Sequence, residues 1–209
     1  MMVQQLQHHV NKKIIIMKNL YMKLLSTLCF LVITISCKAQ IYPLKTDYTE
    51  ISQNSYLKDI NNELDAFIGT YRTQFQGNEI TLYLTKEIQR YFERGNYKFY
   101  NDVISVKYTI KSLNGTVLQD TQSMNIPLQQ IRHTIYSRWT EYGNKLLLYY
   151  GGTNCGVGWG SIILTKIDAS QLLWEYTPND IIIDSNKCPS GTDINIYLPQ
   201  TKDLIFTKQ

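Results

Sequence analysis

The sequence predicts a mostly β protein: a single antiparallel β-barrel or sandwich, lipocalin-like in type, with one N-terminal helix. Two observations support this fold class. Apolar and polar residues alternate with a period of two over most of the chain after Gly69, as in half-buried antiparallel strands. Turn sequences rich in Gly, Asn and Asp separate these runs, and roughly ten short strands joined in this way are typical of barrels and sandwiches.

The helix is predicted over residues 55–69. Four apolar residues recur at spacings of three and four and give one apolar face: Leu57, Ile60, Leu64 and Phe67. Asn54 or Ser55 caps the start of this helix, and Gly69 ends it. We expect the helix to pack across one end or face of the β domain.

Period-two alternation places the strands that follow. The predicted strands are Gly69–Gln76, Glu79–Thr85, Tyr97–Lys111, Ile131–Trp139, Lys145–Tyr150, Ser161–Ile167, Gln171–Tyr176, Ile194–Leu198 and Leu204–Thr207, with Ile181–Ile183 as a further short strand. Asn114-Gly115 is the strongest short hairpin signal in the chain. No internal repeat and no second domain is indicated.

The N-terminal segment is predicted to be a secretory leader. An apolar run of 12 residues, Leu24–Ile35, follows several lysines. A membrane span needs about 20 residues, whereas a signal-peptide core needs about 7–15. Internal methionines suggest a true start at Met17 or Met22. We therefore divide the chain into a leader (residues 1–39), a tether (40–55) and a β domain (56–209).

The leader also accounts for the basic charge. The formal net charge is +4, but four of the 21 basic residues precede the apolar run, which leaves 17 against 17 acidic residues. A neutral domain lacks the electrostatic footprint of a nucleic-acid-binding protein. No nucleic-acid partner is expected.

Two cleavage points remain open. The segment Ile33–Cys37 resembles a bacterial lipobox, in which a small residue precedes a cysteine that is diacylated and becomes the new N-terminus, although Thr34 replaces the usual Leu. This resemblance implies lipidation of Cys37 and a membrane-anchored lipoprotein of the bacterial cell envelope. The alternative is cleavage after Ala39, which would give a periplasmic or secreted protein.

The remaining cysteines predict a disulfide, and the scarcity of histidines argues against zinc hydrolysis and a Ser-His-Asp triad. Outside the leader only Cys155 and Cys188 remain, an even number in an oxidising compartment. The alternative is two separate buried thiols. His133 is the only histidine left, and the sequence has no HExxH, no CxxC and no GxSxG motif. We expect no metal, no cofactor and no enzymatic activity.

Two resemblances bear on the family. The stretch Asp65–Tyr71 resembles the lipocalin-type start of a first strand, where a short helix precedes Gly-x-Trp, with Tyr71 in place of the Trp. More broadly, the chain resembles small Bacteroidetes lipoproteins of a family of unknown function. The residues that carry this likeness are Ser36–Gln40, Leu64–Tyr71, Gly151–Cys155 and Leu172–Glu175. It implies export and anchoring, and it implies no activity.

Aromatic residues in the most apolar part of the chain are the candidate contacts. Tyr149 lies in the run Leu146–Tyr150, Trp159 lies in a glycine-rich loop (residues 151–160), and Trp174 lies in a late strand. Tyr and Trp are frequent at binding surfaces because one end is apolar and the other forms hydrogen bonds. For Trp159, a place in the core and an exposed contact both remain open.

The sequence therefore predicts a non-enzymatic, membrane-tethered envelope lipoprotein. Its domain would bind a small apolar ligand in the mouth of a barrel, driven by burial of apolar surface. The alternative is an interaction or structural module with a filled core that engages a protein partner. A carboxylate-dependent hydrolase is a third hypothesis. A barrel cavity, an exposed aromatic patch and two converging carboxylates would distinguish the three.

Overall fold

Eleven strands make up the β domain, Ile41–Gln209, in the part of the chain that the structure describes. The structure is a computed structural model and describes residues 13–14, 17–26, 40–127, 130–141, 144–184 and 186–209. The strands are β1 (Ile41–Pro43), β2 (Ser55–Lys58), β3 (Gly69–Phe75), β4 (Asn78–Arg94), β5 (Tyr97–Ser112), β6 (Val117–Asp120), β7 (Ile135–Glu141), β8 (Lys145–Tyr150), β9 (Gly160–Lys166), β10 (Gln171–Pro178) and β11 (Leu204–Lys208).

Eight of these strands close into an antiparallel barrel, in the order β5-β4-β3-β11-β10-β9-β8-β7 and back to β5. The closing contact is short: Ser105 pairs with Tyr136, and Val106 pairs with Ile135. Before and after this contact, the same edge of β5 pairs with β2 in parallel and with β6 antiparallel. The predicted fold class is confirmed, and the architecture is a barrel rather than a sandwich.

The interior of the barrel is filled by side chains. The largest buried residues of the core are aromatic and come from several strands: Tyr71, Tyr108, Tyr150, Trp174, Tyr176 and Phe206. Leucines and isoleucines of the same inward register surround them. An eight-stranded barrel is just wide enough for side chains to fill. Each large apolar side chain contributes about 1.5–3 kcal/mol when fully buried.

The helix predicted over residues 55–69 is wrong. The structure has strand β2 there, followed by a 3-10 turn at Asp65–Phe67. The carboxylate of Asp59 accepts hydrogen bonds from the backbone amides of Glu63 (2.8 Å) and Leu64 (3.1 Å), which competes with helical hydrogen bonding. Asn62 has a φ of 55°, outside the helical region.

The apolar residues of that segment serve two cores instead of one helix face. Leu64 and Phe67 belong to the barrel core, whereas Leu57 belongs to a second cluster. Ile60 is 55% exposed. Helical backbone occurs nearer the N-terminus, at residues 13–14 and 17–26. Within the described residues, no helix has the length and apolar character to cross a bilayer.

Other predicted strands agree to different degrees. The bounds of β8 match the prediction, and those of β3, β5, β9, β10 and β11 agree within one or two residues. β4 continues to Arg94 instead of ending at Thr85, and β7 begins at Ile135. The strands predicted at Ile194–Leu198 and Ile181–Ile183 are absent from these described segments. Leu198 is buried against the barrel core without a strand ladder, which explains the misleading alternation.

β4 and β5 extend beyond the barrel as a hairpin arm, defined here as residues 86–94 and 97–103. The register shifts between Glu87 and Arg90, and Gln89 has a φ of 55°. The arm carries the second apolar cluster, which contains Leu57, Phe92, Phe99 and Val103, with Tyr42, Tyr48, Ile51 and Tyr136 packed against it. The bulge changes the direction of the arm relative to the barrel strands.

Candidate binding groove

A cavity lies between the hairpin arm and the outer wall of the barrel. Its volume is about 340 Å³. The arm and β2 contribute Leu57, Arg94, Phe99 and Asn101; the segment after β1 contributes Leu44, Thr46, Asp47 and Tyr48; the barrel wall contributes Arg138 and Leu147. We call this cavity the arginine groove.

A continuous row of six aromatic rings runs past the groove and joins the arm to the barrel wall. Its successive centroid distances are 5.6 Å for Tyr97–Tyr48, 5.2 Å for Tyr48–Phe99, 5.6 Å for Phe99–Phe92, 5.3 Å for Phe92–Tyr136 and 5.5 Å for Tyr136–Tyr149. Such aromatic pairs each stabilise by about 0.5–1.5 kcal/mol beyond the area that they bury. Tyr48 and Phe99 of this row line the groove and give it an apolar wall.

Arg94 is held by rings. Its guanidinium carbon lies 5.1 Å from the ring centroid of Tyr48, 5.3 Å from that of Phe92 and 5.8 Å from that of Phe99. No carboxylate of the described residues forms an ion pair with it. Arg90, on the same face of β4, does have such a partner in Glu87, at 3.3 Å. Arg94 therefore keeps N–H donors available for a ligand.

Arg138 reaches the groove from a bulge in the barrel wall. The β7–β8 register shifts between Ser137 and Trp139, which leaves Arg138 as the extra residue. The Ser137 hydroxyl accepts a hydrogen bond of 2.9 Å from the amide of Ile104 and so fixes β7 to β5 at this point. Bulges re-aim side chains in this manner. Among residues 40–127, 130–140, 144–184 and 186–209, no carboxylate forms an ion pair with Arg138.

The polar lining also includes Asn101, Asp47 and Thr46. The Asn101 side-chain oxygen is buried and has no hydrogen-bond partner among the described atoms. Hydrogen bonds from the backbone amide and hydroxyl of Thr49 hold the pKa of Asp47 below its usual value, so Asp47 is ionised at neutral pH. Since arginine stays protonated in proteins, the lining carries two positive charges and one negative charge.

A second cavity lies along the same aromatic row. It measures about 350 Å³ and is lined by residues of the arm, of the segment before β7 and of β7 itself, among them Arg90, Arg94, Ile131, Thr134 and Tyr136. Arg94 lines both cavities. The two cavities therefore meet at this side chain.

The predicted contact residues lie in three different places. Tyr149 is half-buried on the outer wall and ends the aromatic row; burial raises the pKa of its phenol, and the neighbouring positive charge of Arg138 acts in the opposite direction. Trp159 is 38% exposed on the glycine-rich loop, away from the groove. Trp174 is 0% exposed in the barrel core, where its indole N–H donates to the carbonyl of Pro199 at 2.8 Å.

The predicted disulfide is present. Cys155 and Cys188 are bonded, with their Cα atoms 5.5 Å apart, and they join the glycine-rich loop to the long segment between β10 and β11. A cavity of about 640 Å³ lies beside this bond, with Ile181 and Ile182 in its lining. The proposed lipidation site, Cys37, lies outside the described residues.

His133 is a structural residue of a buried network. It lies in a turn before β7, with a φ of 62°, and its ring nitrogens contact Gln119 (3.5 Å) and Asn154 (3.1 Å). Gln119 also accepts a hydrogen bond from Tyr108 and donates one to Thr153. The network connects β5 and β6 to the glycine-rich loop. Within the described residues, no three His, Cys, Asp or Glu side chains are grouped as a metal site.

The groove residues form no motif that can be recognised in the sequence. Tyr48, Arg94, Asn101, Arg138 and Leu147 come from five separate segments, and only the fold brings them together. One signal was present: Arg90, Phe92 and Arg94 alternate on one face of a strand. No strand is predicted in this stretch, where charged residues outnumber apolar ones between Lys86 and Arg94.

Comparisons with known proteins place the chain in a family. A sequence model described as "Family of unknown function (DUF6705)" matches residues 17–209. No curated protein and no solved structure matches the chain.

Proposed function

This chain belongs to that family of unknown function, and we propose that it is an exported, lipid-anchored envelope protein that binds its ligand or partner in the arginine groove. The barrel serves as a rigid scaffold in this proposal, and the binding surface is on its outside. The proposal corresponds to the filled-core alternative of the sequence analysis rather than to a ligand held inside the barrel.

The filled barrel is the observation that carries the proposal. A lipocalin-type mechanism needs an apolar cavity between the strands. Here the rings of Tyr150, Tyr176 and Trp174 are in successive contact in the interior. The phenol oxygens of Tyr108 and Tyr150 lie 3.2 Å apart. The arginine groove, in contrast, combines apolar walls with polar groups that lack partners among the described residues.

The lining of the groove favours binding over catalysis. General acid–base catalysis needs a group whose pKa lies near the working pH. The cations of the groove are guanidinium groups, which do not release protons in this range. The lowered pKa of Asp47 makes its carboxylate a weak base. We therefore propose a non-enzymatic role.

The anchor is tested by membrane fractionation of a bacterium that expresses the full chain. The Cys37→Ala variant should leave the membrane fraction, because it removes the proposed acylation site. The matched control is Cys29→Ala, which removes a cysteine within the apolar run and should leave membrane attachment unchanged. If Cys37→Ala remains in the membrane fraction, the lipid anchor is wrong, and cleavage after Ala39 replaces it as the proposal.

The groove is tested with two fluorescent probes of similar ring structure. Anilinonaphthalene sulfonate carries an anionic group, whereas N-phenyl-1-naphthylamine is neutral. We expect fluorescence enhancement with the sulfonate and a large loss of it in Arg138→Gln, because the groove offers positive charge beside aromatic walls. Tight binding of the neutral probe, unchanged in Arg138→Gln, would indicate an apolar site elsewhere and contradict the proposal.

A further inference from the structure

We propose that the arginine groove recognises the α-carboxylate of an apolar or aromatic amino acid unit, either a free amino acid or the last residue of a peptide. This inference rests on the proposed function and names its ligand class. Three properties of the groove support it: unpaired positive charge, limited volume and one buried acceptor.

The positive charge selects a carboxylate. A guanidinium presents N–H donors in a planar fork that matches the two oxygens of a carboxylate. Arg94 and Arg138 both line the groove, and the described residues provide neither with an ion-pair partner. The three rings around Arg94 restrict its side chain, so less conformational entropy is lost when a ligand binds.

The volume selects a small apolar body. About 340 Å³ is at the low end of the range for small-molecule sites, roughly 300–1,000 Å³. Tyr48 and Phe99 supply ring faces, and Leu57 and Leu147 supply aliphatic surface. One amino acid side chain with its own backbone atoms suits this space better than a long acyl chain does.

The buried acceptor selects a nitrogen next to the carboxylate. The side-chain oxygen of Asn101, a residue of the groove lining, has no hydrogen-bond partner among the described atoms, and an N–H donor of the ligand would satisfy it. In an amino acid, the α-nitrogen and the carboxylate are attached to the same carbon, so one ligand can satisfy Asn101 and an arginine together. A simple aryl or alkyl carboxylate lacks this donor and would leave the oxygen of Asn101 unpaired.

The two sources of the ligand differ in what surrounds the α-nitrogen. A free amino acid carries an ammonium group, which the ionised Asp47 on the groove lining would favour. A peptide carries an amide, and its preceding residue would extend toward the cavity on the other side of Arg94. L-Phenylalanine represents the free amino acid, and N-acetyl-L-phenylalanine represents the end of a peptide.

The test is isothermal titration calorimetry with the full chain purified from membranes in mild detergent. At least one of these two compounds should bind. For the compound that binds, its own amide (L-phenylalaninamide or N-acetyl-L-phenylalaninamide), which lacks the carboxylate, should bind at least about tenfold more weakly. The same loss is expected for 3-phenylpropionate, which lacks the nitrogen, because a partner is then left unpaired. Stronger binding of L-phenylalanine identifies a free amino acid, and stronger binding of the acetylated form identifies a peptide end.

Two variants locate the binding. Arg138→Gln should weaken binding by about tenfold or more. Arg132→Gln removes the same charge from an exposed residue that lines a different cavity and should bind as wild type does. Unchanged melting temperatures show that both variants fold. Equal affinity for the amide analogue, or equal losses in both arginine variants, would overturn the inference.

Failure of the inference is distinguishable from failure of the proposed function. If the sulfonate probe binds in the groove and neither phenylalanine compound binds up to about 5 mM, the groove binds another class of anion and the inference is wrong. If neither the sulfonate probe nor either phenylalanine compound binds, both the inference and the proposed function are wrong.

Discussion

The guanidinium of Arg94 lies 5.1 Å from the ring centroid of Tyr48, which brings the end of the hairpin arm onto the segment that follows β1. Tyr48 also stacks on Phe99 at 5.2 Å, with an angle of 15° between the ring planes. An arginine held by rings keeps its N–H donors free, whereas in an ion pair a carboxylate occupies donors and offsets the positive charge. The contact therefore both orders the groove and leaves it able to bind an anion.

Replacing Tyr48 should reduce ligand binding in the groove more than it reduces the stability of the fold. Tyr48→Ala removes two ring contacts and the partner of Arg94, so binding of anilinonaphthalene sulfonate should fall severalfold. The cost in unfolding free energy should be about 1–2 kcal/mol, measured by urea denaturation. Tyr83→Ala, at a half-buried position on the outer face of β4 that lines neither cavity, is the control and should leave probe binding unchanged. Equal loss of binding in both variants would rule out a specific role for Tyr48.

Removing the unpaired oxygen of Asn101 should stabilise the protein and impair binding together. A buried acceptor without a partner costs about 1–3 kcal/mol, so Asn101→Leu should raise the unfolding free energy by about 1 kcal/mol. The same change should weaken binding of the preferred phenylalanine ligand by about tenfold. Asn61→Leu, at an exposed position, should change stability by less than about 0.5 kcal/mol. A destabilised Asn101→Leu with intact binding would mean that this oxygen has no role in recognition.

Asp59 should make stability sensitive to acid. Burial alone would raise its pKa, but hydrogen bonds from Lys86 and from the amides of Leu64 and Glu63 together hold it below the usual 3.8. The folded state therefore takes up a proton at lower pH than the unfolded state does. The resulting stability is complete above the unfolded pKa and is lost as the pH falls through the folded pKa.

Urea midpoints measured from pH 7 down to about pH 2 test this linkage. Asp59→Asn should lower the free energy of unfolding at pH 7 and reduce the further loss of stability below about pH 4. Asp180→Asn, at an exposed position, controls for the loss of one charge. Lys86→Met should cost about 3 kcal/mol at pH 7, because it leaves the buried carboxylate without its cation, whose nitrogen lies 2.9 Å away. An acid decline in Asp59→Asn as steep as in wild type would contradict this role.

The disulfide should contribute to stability without contributing to the groove. Cys155 and Cys188 are 33 residues apart, and closing a loop of that size stabilises by about 3–4 kcal/mol in the chain-entropy description. The double variant Cys155→Ser/Cys188→Ser should therefore unfold at lower urea, as should reduced wild type. Both thiols should resist labelling until reductant is added. Loss of sulfonate-probe binding in a folded double variant would show that the loop and the groove are coupled.

Strong local patterns predicted most of the barrel. Lys145–Tyr150 was predicted with the observed bounds, because its apolar run is bordered by a turn and by glycines. The segment 55–69 failed, because a helical spacing of apolar residues arose from two separate cores and because Asp59 binds the amides that a helix would use. Burial in tertiary contacts and a side chain that competes for backbone hydrogen bonds leave no distinct trace in periodicity.

The site was less predictable than the fold. Tyr149 was predicted as a contact and lies at the end of the aromatic row, but it is not among the residues that line the groove. Arg94, Asn101 and Arg138 were not predicted, because each reaches the groove through a feature that periodicity does not encode. Arg138 depends on a bulge in β7, and Arg94 and Asn101 depend on the extension of the β4–β5 hairpin beyond the barrel.

Binding outside a filled barrel is the central claim, and two-dimensional proton–nitrogen NMR during titration with anilinonaphthalene sulfonate tests it most directly. The indole N–H of Trp174 reports on the barrel core, and the backbone amides of Tyr48 and Asn101 report on the groove. We predict that the two amides shift in proportion to binding while the Trp174 indole signal stays in place. A shift of the Trp174 indole with both groove amides unchanged would show that the ligand enters the barrel and would contradict the account.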